Sequence, residues 1–285
     1  MEPFSLGTSS VRRIGFGAMQ LPGKGVFGPP RDHDHAVAVL RRAVELGVNH
    51  IDTAQYYGPD VSNALIHEAL HPYPDDLVLV SKVGGRRDDK GAWLPAQRPE
   101  QLREGVEANL RSLEVERLGA VNLRLMDDTE HSVRLEDQLA EMVALRDEGK
   151  IAGVGISNAS LPQVELALET ASLVCVQNVF SVLDRDDADT LDRCQKEGIA
   201  YVPIFPLGSA FEHLPSVTDD TTVIAIADRL GVTAAQVALA WLLAHRENIL
   251  LIPGTSSLDH LEENMAAGDV KLSDDDLAAL DKIKP

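Results

Sequence analysis

The alternation of short, mostly apolar runs with longer segments of helical periodicity is the feature that most constrains the fold of this chain. Each run of strand length is followed by a segment whose apolar residues recur every three to four positions. Such alternation predicts strand–helix–strand units around a parallel sheet. The predicted strands lie at about 13–18, 48–52, 77–82, 119–125, 151–156, 175–179, 199–204 and 249–252. Eight repeats favour a closed (β/α)8 TIM barrel of the α/β class, formed as a single domain over residues 1–285.

Helices are predicted between these strands, and two of the connections are long. The helices lie at about 34–47, 60–70, 98–112, 134–148, 162–172, 187–197, 221–244 (in two pieces), 258–268 and 273–283. The long loops cover 84–100, after the third strand, and 205–220, after the seventh. Both follow the C-terminal ends of strands, where barrels form their active sites. We therefore expect these loops to form walls of a site.

Composition and charge exclude several classes of protein. The 285 residues include 45 acidic and 26 Lys or Arg side chains, for a net charge of −19 with no basic run. This balance argues against a nucleic acid or an anionic membrane as partner. No apolar stretch approaches the ~20 residues of a membrane span, and no signal-peptide pattern opens the chain, so we expect a cytoplasmic protein. Cys175 and Cys194 are expected to be reduced and structural, and no zinc-binding spacing indicates a metal.

Three side chains of complementary chemistry stand at or just beyond two predicted strand ends. Asp52 ends the second strand, Tyr57 follows in DTAQYYG, and Lys82 ends the third. Neighbouring parallel strands end at the same mouth of a barrel, so the three residues should share one cleft. An ammonium group close to a phenol lowers the phenol pKa, and Asp52 would keep Lys82 charged and oriented. The trio predicts proton delivery to a carbonyl oxygen, and hence reduction of an aldehyde or ketone by a bound hydride carrier.

The chain resembles the aldo-keto reductase family from end to end. The motifs that carry the resemblance are, in order, VRRIGFGAMQL, NHIDTAQYYG, SKVG, GVGISN, VQN, PLGS and LIPGTSSLDHLEEN. GVFGPPRD, AVNLRLM, WLPA and IPGTSS are most similar to the bacterial pyridoxal reductase branch. The resemblance implies NADPH-dependent reduction of a small carbonyl substrate by a monomer or weak homo-oligomer, with pyridoxal to pyridoxine as the narrower expectation. It makes Tyr57 the proton donor, with Lys82 and Asp52 as its tuning pair.

The resemblance also assigns a cofactor site. Ser157, Asn158 and Gln177 match residues that hold the nicotinamide amide, and the PLGS loop matches a segment that binds the pyrophosphate. The matched positions of that loop and of the adenosine end are Leu207, Gly208, Ser209, Gly254, Thr255, Ser256, Ser257, His260, Glu263 and Asn264. Relatives that prefer NADPH often carry Lys and Arg where this chain has Gly254 and His260. The expected cofactor is NADPH, held by backbone N–H groups and hydroxyls, and NADH stays an open alternative.

The chain departs from the family pattern at two places. The fourth strand ends in Arg124 where the family usually has a His, and Ile204 stands where many relatives stack an aromatic ring, with Phe205 next to it. Our hypothesis is that Arg124 favours substrates with an anionic oxygen near the aldehyde. The alternative is a structural ion pair with Asp127 or Asp128. The candidate substrate contacts are Gln20, Tyr56, Trp93 and Phe211.

Three other functions compete with this interpretation. A barrel aldolase with Lys82 as Schiff-base amine would need a lowered lysine pKa, which Asp52 opposes. A glycosidase would need two facing carboxylates, whereas strands three and four end in Lys82 and Arg124. A regulatory or redox-sensing protein that binds the cofactor with little turnover is disfavoured by Tyr57 and Lys82 but fits the loss of the His and of the stacking aromatic.

Overall fold

The predicted strand–helix alternation folds into a closed barrel. The computed structural model describes residues 2–127, 133–208 and 216–283. Its strands are β1 Phe4–Leu6, β2 Ser9–Val11, β3 Phe16–Gly17, β4 His50–Asp52, β5 Val78–Arg87, β6 Trp93–Ala96, β7 Ala120–Arg124, β8 Val154–Ser157, β9 Cys175–Gln177 and β10 Ala200–Tyr201. The parallel order is β3-β4-β5-β7-β8-β9-β10. Parallel bridges from Ile249 to Tyr201 and from Leu251 to Ile14 supply the eighth strand position and close the barrel, as predicted.

Helices surround the barrel close to their predicted positions. They are α1 His33–Glu45, α2 Val61–Leu70, α3 Pro99–Leu113, α4 Leu135–Asp147, α5 Leu161–Ala171, α6 Ala188–Glu197, α7 Thr221–Leu230, α8 Ala234–His245, α9 Leu258–Ala266 and α10 Asp274–Asp281. Capping side chains fix several starts; for example, Thr233 accepts from the backbone N–H of Gln236 at the start of α8. Within the described residues no single helix is long and apolar enough to cross a membrane, although α7 and α8 together, bent by 97°, meet the criterion by length and composition.

Alternation of side chains along the strands separates two apolar layers and sets the position of the site. On β5, Val78 and Val80 pack inside the barrel, whereas Leu79 and Val83 join the larger core between strands and helices. Because side chains alternate along a strand, Lys82 continues the inward row of Val78 and Val80. The same parity turns the last residues of β4, β7, β8 and β9 inward, so polar side chains gather at the C-terminal mouth.

Two hairpins depart from the predicted topology. The prediction of a loop over 84–100 was wrong for most of its length, because β5 continues to Arg87 and pairs antiparallel with β6, from Gly84 opposite Ala96 to Arg87 opposite Trp93. The glycines and charges of this segment have the composition of a loop, but its backbone groups are satisfied by cross-strand pairing. The β1–β2 hairpin was not predicted; its Leu6 joins the apolar cluster inside the barrel.

Candidate active site

A buried ion pair forms the floor of the C-terminal mouth. The Nζ of Lys82 contacts Oδ1 of Asp52 and donates to the carbonyl oxygen of Thr53 at 3.3 Å. The side-chain amide of Gln177 donates to Oδ2 of Asp52 at 3.0 Å. Asp52 and Lys82 are only 3% and 2% exposed. Both carboxylate oxygens therefore have hydrogen-bond donors, and the lysine charge is balanced where water is excluded.

The phenol of Tyr57 lies beside this pair. Its ring centroid is 5.2 Å from Nζ of Lys82, and its backbone is held in the turn after β4 by the bond from its N–H to the carbonyl of Ala54, 3.0 Å long. Burial raises the pKa of Tyr57 well above its usual value; the negative charge of Asp52 raises it further, and Arg124 opposes the rise. The expected lowering was therefore wrong for this structure. Burial of the phenol is the largest of these effects, so it decides the direction of the pKa shift.

Arg124 ends β7 and faces the same space as Tyr57. It lines both the large cleft and a smaller neighbouring cavity, and its Nε is buried with no hydrogen-bond partner. Within the described residues no ion pair joins Arg124 to Asp127, and Asp128 lies outside them. Gly84 admits the backbone of Arg124, because a Cβ at Gly84 would lie 2.3 Å from the Arg124 carbonyl oxygen. The guanidinium is therefore positioned to meet a ligand in the cavity.

The large cleft joins Tyr57, Lys82 and Arg124 to predicted cofactor positions. It has a volume of about 1010 Å³, its open mouth included. Its lining comprises Gly17, Met19, Gln20, Asp52, Tyr57, Lys82, Arg124, Pro203, Ile204, Phe205, Pro206, Leu207, Gly208, Ile252, Pro253, Gly254 and Asn264. Both candidates for the nicotinamide face, Ile204 and Phe205, are in this set. One continuous groove thus runs from Tyr57 to the start of the 254–264 segment.

Two residues assigned to nicotinamide carry unsatisfied buried polar atoms, although neither residue lines the large cleft. The hydroxyl of Ser157 and the side-chain carbonyl Oε1 of Gln177 are buried with no hydrogen-bond partner. They lie on paired residues of β8 and β9. Buried polar atoms normally have partners, and a carboxamide carries both a donor and an acceptor that would satisfy them. The amide of Asn158 is already used, since it donates to the carbonyl of Leu125 at 3.0 Å.

The segment assigned to adenosine lies at the start of α9. Ser257 caps this helix by accepting from the N–H of His260 at 3.4 Å, and Thr255 accepts from the N–H of Ser257 at 3.0 Å. Ser256 and His260 are exposed, whereas Thr255 and Asn264 are buried. The segment contains no Lys or Arg, and Asp259 lies in the first turn of α9. A phosphate here would depend on backbone N–H groups and the helix dipole.

A second cavity of about 500 Å³ adjoins the cleft at Tyr57. Its lining comprises Met19, Tyr56, Tyr57, Trp93, Arg124, Met126 and Phe205. The rings of Tyr56 and Trp93 meet edge to face with centroids 5.6 Å apart. Arg87 lies over Trp93 at 3.9 Å and donates to the carbonyls of Gly25 and Val26. The β5–β6 hairpin, which the sequence did not predict, therefore supplies Trp93 to the wall of the smaller cavity, and Arg87 holds that ring in place.

The structure brings about half of the residues proposed from sequence to the two cavities. The proposed residues that are described but line neither cavity are Ser157, Asn158, Gln177, Thr255, Ser256, Ser257, His260 and Glu263. Tyr56 and Trp93 line the smaller cavity, whereas Gln20 lines the large cleft. The predicted positions Ser209 and Phe211 lie outside the described residues. The remaining predicted residues keep their proposed roles as predictions.

Several lining residues were missed by the sequence analysis. Met19 and Met126 follow strand ends, so their positions after β3 and β7 were the available signal. Gly17 was also missed. It meets the predicted Gly254 closely, because a Cβ at Gly17 would lie 2.5 Å from the Ile252 carbonyl oxygen, and a Cβ at Gly254 would lie 2.5 Å from the Gly17 carbonyl oxygen.

Comparisons with known proteins agree with this geometry. The sequence profile of the Aldo/keto reductase family matches residues 13–285. Pyridoxine 4-dehydrogenase of Escherichia coli (strain K12) is 49% identical over 283 residues, which cover 98% of this chain and 97% of that protein. Among solved structures, a thermostable aldo-keto reductase in complex with the inhibitor epalrestat superposes with a TM-score of 0.83 at 29% identity, covering 99% of both chains. An aldo/keto reductase from Klebsiella pneumoniae in complex with NADP and acetate has a TM-score of 0.81 at 27% identity, covering 99% of this chain and 94% of that one.

Proposed function

The chain belongs to the aldo/keto reductase family and is an NAD(P)H-dependent oxidoreductase, and from that premise we propose that it uses NADPH to reduce pyridoxal to pyridoxine with Tyr57 as proton donor. The observation that carries the proposal is the shared cleft, in which Tyr57, Lys82 and Arg124 face the groove that leads to Gly254 and Asn264. The similarity to pyridoxine 4-dehydrogenase supports the choice of substrate.

The proposed proton transfer is compatible with the raised pKa of Tyr57. NADPH, when bound, would supply the hydride to the carbonyl carbon. The carbonyl oxygen then gains alkoxide character and becomes a much stronger base than a phenolate, so Tyr57 donates its proton despite its raised pKa. The phenolate that forms is stabilised by the charges of Arg124 and Lys82. The raised pKa keeps the donor protonated between turnovers.

The proposed cofactor site fits NADPH at both ends. At the nicotinamide end, Ser157 and Gln177 offer a buried hydroxyl and a carbonyl without partners. At the adenosine end, the start of α9 offers backbone N–H groups beside Ser256 and His260. The NADP-bound relative from Klebsiella pneumoniae supports this choice. Because the segment at the start of α9 has no Lys or Arg to pair with a 2′-phosphate, NADH is the second candidate. Fluorescence-quenching titrations with NADPH and with NADH compare the two affinities directly.

The smaller cavity suits a flat aromatic aldehyde that carries an anionic oxygen. Tyr56 and Trp93 supply aromatic edges and faces, and Phe205 lies at the junction with the cleft. Arg124 supplies a positive charge, and its Nε has no hydrogen-bond partner. Pyridoxal combines an aromatic ring, an aldehyde and an adjacent phenolic oxygen, so it would use both features.

Arg124→Ala is expected to lower kcat/KM for pyridoxal by about 10- to 100-fold, since a hydrogen bond to a charged group contributes about 1.5–3 kcal/mol. The loss on 4-nitrobenzaldehyde, which has no anionic oxygen beside its aldehyde, should be at least about threefold smaller, because only the stabilisation of the Tyr57 phenolate by Arg124 is lost there. Arg124→His should recover only part of the pyridoxal activity. The rates come from the loss of NADPH absorbance.

Equal losses on both aldehydes would remove Arg124 from substrate selection. A different outcome would indicate a cofactor-binding regulatory protein: NADPH quenches the fluorescence of the wild type, but neither of these aldehydes nor methylglyoxal is turned over. The observation that favours a regulatory protein is the presence of Arg124 where the family usually has a His.

The pH dependence of reduction is expected to show no alkaline loss from Tyr57 below about pH 9. Burial and Asp52 raise the pKa of Tyr57, so the phenol stays protonated across that range. Oxidation of pyridoxine requires the phenolate and should therefore accelerate as the pH rises. Profiles of kcat/KM in both directions test this. A reductive rate that falls with an apparent pKa of about 8 would show that bound cofactor lowers the phenol pKa instead.

A further inference from the structure

Three potential metal ligands meet on the outer surface of the barrel. His67 lies in the last turn of α2, His71 follows that helix, and Glu114 follows α3. One ligand atom from each lies within 4.8 Å of the other two. The helices of a barrel run back from the active face, so the C-terminal ends of α2 and α3 lie at the opposite end from Tyr57.

The backbone holds these side chains in place. The N–H of His71 donates to the carbonyl of His67 at 2.9 Å, so the helical spacing that puts both imidazoles on one face continues to His71. Their ring centroids are 4.7 Å apart. The hydroxyl of Tyr73 donates to the carbonyl of Leu113 at 2.7 Å, which ties the segment after α2 to the end of α3. Glu114 is held by its N–H bonds to Leu110 and Arg111.

The spacing of the ligand atoms is close to that of a metal site. The Nε2 of His67 lies 3.3 Å from Oε2 of Glu114. Bonds of about 2.0–2.1 Å in a tetrahedral zinc site place neighbouring ligand atoms about 3.3 Å apart. The same Nε2 is buried and makes no hydrogen bond of acceptable geometry. The side chains of His71 and Glu114 are exposed and can move the remaining distance.

We propose that His67, His71 and Glu114 form a binding site for a first-row divalent cation such as Zn²⁺, which links α2 to α3. Two imidazoles and one carboxylate suit this class of ion and leave a position for water. Calcium prefers six to eight oxygen ligands and is not expected to bind. The position of the site, away from the catalytic mouth, gives it a structural role that does not depend on the reductase function proposed above.

The test is a Zn²⁺ titration of the untagged, metal-stripped full chain by calorimetry. One Zn²⁺ per chain is expected to bind with a micromolar Kd. His71→Ala and Glu114→Gln, both at exposed positions, should each weaken binding at least about tenfold. At a hundredfold excess over Kd, Zn²⁺ should raise the Tm of the wild type by about 4 °C. Calcium should change neither signal.

His33→Gln is the matched control. The Nε2 of His33 lies 3.0 Å from a carboxylate oxygen of Glu68, but no second imidazole joins it in a cluster among the described residues. Its Zn²⁺ affinity should equal that of the wild type. Absence of stoichiometric binding, or equal affinity in all three variants, would overturn the proposal. In that case the contact between His67 and Glu114 is a surface ion pair of small energetic value.

Discussion

Tyr57→Phe is expected to lower kcat for aldehyde reduction by about 10³-fold, because it removes the proposed proton donor and little else. The phenyl ring can keep its edge-to-face contact with Tyr56, whose centroid is 5.5 Å away, and its position beside Lys82. The fold and the cofactor groove should therefore be retained. Single-turnover rates measured from NADPH absorbance give the effect on chemistry, and fluorescence quenching should show a cofactor Kd within about twofold of the wild type.

Tyr56→Phe is the matched control for this prediction. Tyr56 is the adjacent residue, is equally buried, lines the same small cavity, and its hydroxyl has no hydrogen-bond partner. Loss of that hydroxyl should change kcat by less than about threefold. If Tyr56→Phe is the more damaging substitution, the proton donor has been assigned to the wrong phenol. If neither matters, proton delivery does not depend on either side chain.

The barrel was predictable because its strands and helices follow from local periodicity. Leu79 and Val83 face the helices while Val80 and Lys82 face inward, and this parity is already visible in the order of residues along β5. The continuation of β5 into a hairpin with β6 was not visible. The hairpin is stabilised by pairing between residues at least six positions apart in the sequence, and by the guanidinium of Arg87 over the ring of Trp93. Neither contact can be seen in a local sequence pattern.

The site was predictable at the level of which residues meet, but not of how they interact. Asp52 and Lys82 end neighbouring strands, so their proximity follows from topology once the barrel is assumed. The direction of the Tyr57 pKa shift depends on burial and the charge of Asp52, which raise the pKa, and on the charge of Arg124, which lowers it. The hydrogen bond that Gln177 donates to Asp52 likewise depends on a distance in the fold that the sequence does not give. The sequence identifies the charged groups, but not how strongly each of them shifts the pKa of Tyr57.

Lys82→Met is expected to lower the free energy of unfolding by about 3–5 kcal/mol, because it leaves the Asp52 carboxylate buried without its counter-charge. Both side chains of the pair are at most 5% exposed. The substitution should also lower kcat by at least about 10²-fold, since the developing phenolate of Tyr57 loses a nearby cation. Urea unfolding monitored by circular dichroism and steady-state kinetics on the same preparation measure the two effects.

The double variant Asp52→Asn with Lys82→Met separates stability from catalysis. Removing the orphaned charge should restore most of the lost unfolding free energy, because a neutral pair of similar volume no longer needs compensation. The amide introduced in place of the Asp52 carboxylate would still offer an oxygen to the side chain of Gln177, which donates to Asp52 at 3.0 Å in the wild type. Activity should stay as low as in Lys82→Met, because the cation beside Tyr57 is still missing. If activity returns together with stability, Lys82 only maintains the fold, and the phenol of Tyr57 needs no cation to transfer its proton.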